Sequence, residues 1–236
     1  MKDSTPHPLE ERKAETREMI FQAARKVFSE KGFHKAQIAD IVKAAGISTG
    51  SIYAHFKDKR DLFEQIIRQT NEGLRTRLKE LSETRSPGDA RQRVQQWMPA
   101  YIAFFDYVEA YPEQFLLIAR GGFGVDGEND TTMWEFFNTF ATDIAEDFRK
   151  WEELGFIKGV NAMLMGHIII GMGLHVALSY LVDSQFTREE AINNLVAVTY
   201  SMVSMYLTDK GRSELGDMRL PRLPENKVKK APASVP

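Results

Sequence analysis

Apolar residues recur at helical spacing along most of the chain. The first such pattern predicts a helix over residues 14–31 that Gly32 ends, since glycine favours the left-handed turn after a helix. A second, shorter helix is predicted over residues 37–44 and a third over 49–55, with Ser48 as its N-cap. A fourth begins after Asp58 and runs to the break at residues 86–88. The first three helices form the predicted N-terminal head, and the fourth begins in the head and continues into a larger helical body.

Five longer helical patterns follow this break. They predict helices at residues 90–110, 112–120, 132–154, 160–182 and 187–208. A loop rich in glycine and acidic residues is expected over 121–130, and the proline- and lysine-rich stretch from 210 reads as a mobile tail. The chain shows no internal repeat and no strand pattern. The predicted fold class is therefore all-α.

The second and third helices are too short to be stable alone, so they must pack on the first and fourth. The Ala-Ala-Gly-Ile-Ser connection at residues 44–48 suits a helix-turn-helix, in which the glycine makes the turn and Ser48 starts the recognition helix. That third helix carries Thr49, Gly50, Ser51 and Tyr53, which are small or polar residues of the kind that contact bases and phosphates.

Charge distribution agrees with a polyanion partner for the head. The whole chain has a net charge of −2. Residues 1–62 contain 12 Lys and Arg against 9 Asp and Glu, a net charge of +3, which leaves −5 for the remainder. Three charges are weak support alone, and the arrangement of the basic residues around the third helix carries more weight.

The stretch IADIVKAAGISTGSIYAHFKDKRDLF, residues 38–63, resembles the N-terminal domain of the tetracycline-repressor (TetR) family of bacterial transcription regulators. The resemblance implies that Tyr53 and Lys59 hold DNA phosphates. It also implies that Ser48, Thr49, Ser51 and His55 face the groove. One departure is Ala36, where the family commonly has threonine as the N-cap of the second helix. Its loss costs about 1 kcal/mol of capping, and Lys35, Gln37 or backbone amides must then meet the phosphate. The full predicted DNA-contacting set is Arg17, Lys35, Gln37, Ser48, Thr49, Gly50, Ser51, Tyr53, His55, Lys57 and Lys59.

The body is rich in aromatic residues. Residues 97–156 contain 15 of the 25 aromatics of the chain, which suggests a chamber for a flat or apolar ligand. A solid aromatic core without a cavity is the alternative. Arg120 could hold an acidic group of the ligand or form an ordinary salt bridge. The predicted pocket residues are Trp97, Tyr101, Phe104, Phe105, Phe115, Arg120, Trp134, Phe137, Phe140 and His167.

The helix at 160–182 contains several glycines, which are costly in a helix unless another backbone approaches closely. The apolar stretch is interrupted by these glycines and by histidines, so a buried helix is expected rather than a membrane span. The TetR resemblance implies that the last two long helices form a dimeric four-helix bundle. The predicted interface residues are Gly166, Gly173, Ala177, Val196 and Tyr200. His167 and His175 lie about 12 Å apart along the helix axis, too far to share a metal.

The expected organisation is a flexible arm at 1–12, the helix-turn-helix domain at 13–62, a ligand-binding and dimerisation body at 63–209, and the tail at 210–236. The chain has no cysteine and its N-terminus lacks the apolar run of a signal peptide, so a cytoplasmic protein without cofactor is expected. No Walker loop, GxSxG or HExxH motif is found, so we expect no catalytic residues.

The leading hypothesis is a homodimeric repressor that binds a palindromic operator in double-stranded DNA, is released by a small hydrophobic effector and has no membrane partner. A non-DNA helical adaptor, a small-molecule-binding protein, and an enzyme with an unrecognised site are the alternatives.

Overall fold

A computed structural model describes residues 8–83, 97–121, 127–183 and 185–215 of the 236-residue chain. These ranges contain ten α-helices and, apart from one isolated bridge between Ile157 and Leu207, no β-structure. The predicted all-α fold is confirmed. The helices are α1 (Pro8–Lys35), α2 (Ile38–Ala45), α3 (Thr49–Tyr53), α4 (Lys59–Glu83), α5 (Trp97–Ala110), α6 (Pro112–Gly121), α7 (Gly127–Glu153), α8 (Ala162–Val182), α9 (Arg188–Ser204) and α10 (Asp209–Leu215).

Two compact units divide the chain. The first, called the head unit here, comprises Met1–Thr70 and Glu113–Met133, and the second, called the body unit, comprises Asn71–Pro112 and Trp134–Pro236. The head unit therefore extends past residue 62, where the sequence predicts the end of the helix-turn-helix domain. Phe63 is fully buried, and its ring lies 5.5 Å from that of Phe28 and 4.8 Å from that of Phe33, so it belongs to the core of the head.

Helix α1 begins earlier than the sequence suggested. Residues 8–12, which we expected in a flexible arm, form its first turns, and the carboxylates of Glu10 and Glu11 favour this positive end of the helix dipole. The helix is interrupted at Gly32, whose φ of 74° is left-handed as the sequence predicted for its end. Residues 1–7 lie outside the described part of the chain.

The body unit is tied together by polar contacts between distant helices. Arg75 on α4 makes a bidentate pair with Asp143 on α7, with two N–O distances of 2.7 Å. Tyr101 on α5 and Thr199 on α9 share a buried hydrogen bond of 3.0 Å between their hydroxyl oxygens. Burial raises the pKa of Tyr101 to about 12. These contacts fix α4, α5, α7 and α9 around an apolar interior.

Two segments expected to be irregular are partly helical. Residues 127–130, assigned to a loop, form the start of α7, while residues 122–126 lie outside the described ranges. Residues 210–215, assigned to a mobile tail, belong to α10, where Gly211 and Leu215 are buried. Gly211 packs directly on the carbonyl of Phe156, which explains why this stretch is anchored. The remaining tail, 216–236, and residues 84–96 lie outside the described ranges.

Helix α8 is the one described helix long and apolar enough to cross a membrane by length and composition, with a mean hydropathy of 1.7. Only 28% of that apolar window is buried, so the expectation of a buried helix is corrected. One side of α8 packs in the body unit, and the other is open.

Candidate nucleic-acid interface

The helix-turn-helix consists of α2, a tight turn and α3. Gly46 adopts φ 67° and ψ 29°, and its N–H donates to the carbonyl of Val42 at 3.0 Å, which closes α2 in a left-handed cap. Ser48 then caps α3, its Oγ accepting from the backbone N–H of Ser51 at 3.1 Å. The predicted glycine turn and serine cap are both present. This turn fixes the direction of α3 relative to α2.

Helix α3 presents one face to solvent and anchors the other. Ile52 is fully buried, and the ring of the following Phe56 packs edge-on against Phe21 at 5.2 Å. On the outer face, Tyr53 is 54% exposed, and Thr49 and Gly50 are exposed beside it. An exposed tyrosine on a rigidly anchored helix is a suitable donor to a phosphate.

Not all predicted polar groups on α3 are free to read bases. The hydroxyls of Ser48 and Ser51 lie 2.8 Å apart and bond to each other, and Ser48 is also the helix cap. Gly50 has open space above it, because a Cβ there would meet only the Ser48 Oγ at 3.8 Å. Thr49 and Tyr53 are thus the hydroxyls best placed to contact a ligand.

The start of α2 differs from the expected arrangement. Its N-cap is Gln37 rather than Ala36, and the carboxylate of Asp40 accepts from the Gln37 backbone N–H at 3.0 Å. Lys31 pairs with Asp40 at 2.7 Å, and this pair, with the Gln37 N–H, holds the pKa of Asp40 below its usual value. The expected loss of capping is therefore offset by Asp40. Gln37 and Lys35 are exposed here, as is Lys57 ahead of α4.

Lys59 does not present a free ammonium to solvent. Its Nζ donates to the backbone carbonyls of Phe33 at 2.8 Å, His34 at 3.4 Å and Ala36 at 2.9 Å. It also lies 4.5 Å from the centroid of the Phe33 ring. Because an ammonium has three N–H donors, these carbonyls use all of them. The predicted role of Lys59 as a phosphate ligand is thus not supported in this state: the lysine ties α4 to the end of α1, and burial lowers its pKa.

Arg17 and His55 lie near each other on the aromatic core of the head. The guanidinium of Arg17 donates to the side-chain oxygen of Gln65 and lies 5.3 Å from the Phe56 ring centroid. The His55 ring lies 6.2 Å from the same ring. Burial first, and then the positive charges of Lys13 and Arg17, lower the pKa of His55.

The aromatic residues of the body unit contact one another. Phe105 is fully buried and packs edge-on against Phe104 at 5.6 Å and Tyr180 at 5.7 Å. Among the other predicted pocket residues, Tyr101, Phe137 and Phe140 are buried and Trp97 is half-buried. These contacts agree with the aromatic-core alternative as well as with a ligand chamber.

Four of the predicted pocket residues lie apart from this aromatic cluster or have a side chain outside the described part of the structure. Trp134 is 54% exposed and stacks on the half-buried His167 with ring centroids 5.6 Å apart, so both lie near the surface. Phe115 is buried but belongs to the head unit. The backbone of Arg120 is helical, and its side chain lies outside the described part of the structure.

All five residues predicted at the dimer interface are buried within the chain itself. A Cβ on Gly166 would overlap the backbone carbonyl of Ala141 on α7, and one on Gly173 would meet the rings of Tyr101 at 3.7 Å and Phe104 at 3.9 Å. Ala177, Val196 and Tyr200 are likewise buried. The close approaches that the glycines permit are therefore contacts inside the body unit, whereas the sequence predicts them between two copies of the chain.

The solvent-exposed sides of α8 and α9 are formed by other residues. On α8 the exposed positions Leu164, Gly171, His175 and Val182 recur at spacings of seven, four and seven, which places them on one face. On α9 the exposed face includes Val198 and Ser201, and Met205, directly after the helix, is 73% exposed. We call these residues the α8–α9 stripe. Sequence analysis missed it because α8 is apolar on every side, so its periodicity does not tell the inner face from the outer one.

Residues 20–66 match the family model for bacterial regulatory proteins of the tetR family. Over 54 residues the chain is 48% identical to the HTH-type transcriptional repressor BepR of Brucella suis, covering 23% of this chain and 26% of that protein. It is 31% identical over 104 residues to the transcriptional activator FasR of Mycolicibacterium smegmatis, covering 44% and 45% of the two chains. The matched segments thus span less than half of these relatives.

The fold likeness extends further than the sequence likeness. The structure of the regulator FadR of Bacillus subtilis in complex with stearoyl-CoA superposes with a TM-score of 0.61 at 19% identity, over 81% of this chain and 97% of that one. The sequence similarity to known regulators is thus strongest in the head, whereas the similarity in fold extends over 81% of the chain. Residues 20–66 are therefore similar to the N-terminal domain of bacterial regulatory proteins of the tetR family, and the described helices share the fold of this solved regulator.

Proposed function

We propose that the protein is a homodimeric, ligand-responsive transcriptional repressor of the cytoplasm that binds a palindromic operator through α3. The exposed Tyr53 on a recognition helix held by Ile52 and Phe56 is the observation that carries this proposal. Two such helices related by a two-fold axis would read two half-sites about one helical turn, ~34 Å, apart. The relatives include a repressor and an activator, so repression rather than activation is itself part of the proposal.

Dimerisation through the α8–α9 stripe explains the exposed apolar surface. A two-fold axis brings the same surface of each copy together, so two stripes would bury Leu164, Val198 and Met205 in a four-helix bundle. A membrane is a poorer partner for α8 because its other face is packed against α5 and α7, at Tyr101 and Ala141 among other residues.

An apolar effector bound in the body unit would release the operator. The support is the aromatic content of α5 and α7, together with the fold likeness to a regulator crystallised with stearoyl-CoA. Helix α4 begins in the head and ends in the body, so a ligand that favours one position of α4 would shift the population of DNA-competent dimers. The non-DNA adaptor and the unrecognised enzyme remain the alternative hypotheses.

DNA binding is tested with a duplex selected by the protein from a random-sequence library. Tyr53→Ala should weaken binding to that duplex at least about tenfold while circular dichroism stays unchanged, because an exposed phosphate donor is lost. The matched control is Tyr111→Ala, which removes a tyrosine of similar exposure (47%) from the body unit and should leave affinity unchanged. Failure to select any duplex would favour the adaptor hypothesis, and equal affinity of both variants for a selected duplex would show that Tyr53 does not contact the DNA.

The dimer is tested with two leucines of similar exposure. Leu164 in the stripe is 55% exposed, and Leu154, which follows α7, is 48% exposed. Leu164→Glu should yield a folded monomer by light scattering, since two carboxylates would be buried at the interface, whereas Leu154→Glu should remain dimeric. A dimeric Leu164→Glu protein would show that the interface lies elsewhere.

The effector is sought among acyl and aromatic compounds by thermal shift. A true inducer should weaken operator binding, and operator DNA should weaken its binding by the same factor, because coupling between two sites is reciprocal. A compound that stabilises the protein but leaves the operator affinity unchanged is not the inducer.

A further inference from the structure

A cluster of three basic side chains lies beside the recognition helix. Lys13 and Arg17 are one turn apart on α1, and His55 follows the end of α3. The ring of Phe56, itself buried, links the cluster, because the Arg17 guanidinium and the His55 ring pack against it at 5.3 and 6.2 Å. Arg17 and His55 are therefore held against the core of the head, and Lys13 lies one turn from Arg17 on the same helix, near enough to affect His55 electrostatically.

Most of the hydrogen-bonding capacity of this cluster is unused. Lys13 is exposed and has no ion pair, and neither ring nitrogen of His55 forms a hydrogen bond, within the part of the chain that the structure describes. Arg17 gives one guanidinium nitrogen to Gln65 and keeps the other N–H groups. Three neighbouring basic groups repel one another when all are charged, and an anion placed among them would relieve that repulsion.

The acidic groups nearby are already engaged. Asp58 accepts from the N–H of Asp61 at 2.8 Å as the cap of α4. The Asp61 carboxylate accepts from the backbone N–H of Lys57 at 2.9 Å and from the side chain of Gln65 at 2.7 Å. Asp61 feels Arg17 and Lys57 electrostatically, but its oxygens are held at the start of α4. Among the residues that the structure describes, the cluster is thus left without a carboxylate ligand of its own.

We propose that Lys13, Arg17 and His55 together bind one backbone phosphate of the operator, and that operator binding takes up one proton from solvent at His55. This inference rests on the proposed DNA-binding function and adds a proton linkage to it. The three groups lie on α1 and directly after α3, so a duplex seated on α3 would bring its phosphate chain to the same side of the head.

The direction of the linkage follows from the environment of His55. In the free protein, burial and then the charges of Lys13 and Arg17 lower the pKa of His55 from its usual value, which favours the neutral imidazole. A bound phosphate carries a negative charge that favours the imidazolium and raises the pKa. Between the free and bound pKa values the operator affinity should rise as pH falls, by at most about tenfold per pH unit for one proton.

The experiment measures operator affinity by fluorescence anisotropy from pH 5.5 to 8 at constant ionic strength, on the full chain. The wild-type protein should bind about three- to tenfold more tightly at pH 6 than at pH 7.5. His55→Gln should lose this pH dependence, and the matched control His34→Gln, at the exposed end of α1, should keep it. Calorimetry in two buffers of different ionisation enthalpy should count close to one proton taken up by wild type and none by His55→Gln.

Lys13→Gln provides a second variant that cannot perturb packing, since Lys13 is exposed. Removing its charge should reduce the slope of log K against log salt, because one phosphate contact loses a cation, and should reduce the proton uptake. A flat wild-type pH profile, or a profile that His55→Gln retains, would overturn this inference while leaving DNA binding intact. Absence of binding at every pH would overturn the proposed function together with it.

Discussion

Replacing Gly166 by alanine should destabilise the body unit, although alanine is the better helix former. A Cβ at this position would overlap the carbonyl oxygen of Ala141 and lie 2.9 and 3.0 Å from its carbonyl carbon and Cα. These are backbone atoms of α7, so the two helices must move apart. Overpacking of this kind costs about 1–3 kcal/mol or more, and the gain in helix propensity offsets about 1 kcal/mol of it. The expected net loss is about 2 kcal/mol.

The measurement is unfolding by urea and by heat, at matched protein concentration, followed by circular dichroism at 222 nm. A loss of about 2 kcal/mol corresponds to a fall in Tm of about 4–8 °C for a chain of this size. The control lies five residues further along the same helix: no atom of the same chain lies within 4 Å of a Cβ placed on Gly171. Because Gly171 lies in the α8–α9 stripe, both variants are compared in the Leu164→Glu background, in which Gly171→Ala should be neutral or stabilising by up to about 1 kcal/mol. If Gly166→Ala were as stable as Gly171→Ala, the close crossing of α7 and α8 would be refuted.

Two further predictions concern buried polar contacts. Lys59→Ala should lower the free energy of unfolding of the head by about 1–3 kcal/mol, because three backbone carbonyls lose a charged donor. The slope of log K against log salt for operator binding should stay unchanged. A slope reduced by about one would instead show that Lys59 contacts a phosphate. The free energy of unfolding should fall as pH rises from about 10 towards 12, since Tyr101 has a pKa of about 12 in the folded protein and loses its proton first in the unfolded chain. Measured over this pH range, the loss should be smaller in Tyr101→Phe. An equal loss in this variant would assign the effect to other groups.

The recognition motif could be predicted from sequence because its determinants are local. Gly46 and Ser48 set the turn and the cap within a few residues of each other, and the burial of Ile52 beside an exposed Tyr53 follows from helical periodicity. Each of these features is encoded by neighbouring positions. The fold class and the place of α3 were accordingly correct before the structure was known.

Lys59 shows why other parts could not be predicted. Its carbonyl partners lie 23 to 26 residues away, at the end of α1, and a backbone carbonyl carries no signature in the residue type. The residue type therefore does not distinguish a solvated lysine from one whose ammonium donates to backbone carbonyls. Only the tertiary packing of α4 against α1 distinguishes the two.

The inner face of α8 is a second feature that the sequence could not predict. Gly166 and Gly173 suggested a close helix approach, and close approach does occur at Gly166. Sequence alone could not say whether the neighbour belongs to the same chain or to a second copy, because both would require the same small residues. The surrounding apolar positions gave no polar face to orient the helix.

The anchoring of α10 sets a limit on how far the chain can be shortened. Thr208 donates its hydroxyl to the carbonyl of Gly155 at 2.7 Å, Lys210 donates to that of Leu154 at 2.8 Å, and Gly211 rests on Phe156. A protein trimmed after residue 209, the boundary that composition suggests, would uncover the turn between α7 and α8 and lose the buried Leu215. An affinity tag or fluorescent reporter is therefore best joined beyond residue 215, where it leaves the contacts of α10 with residues 154–156 intact.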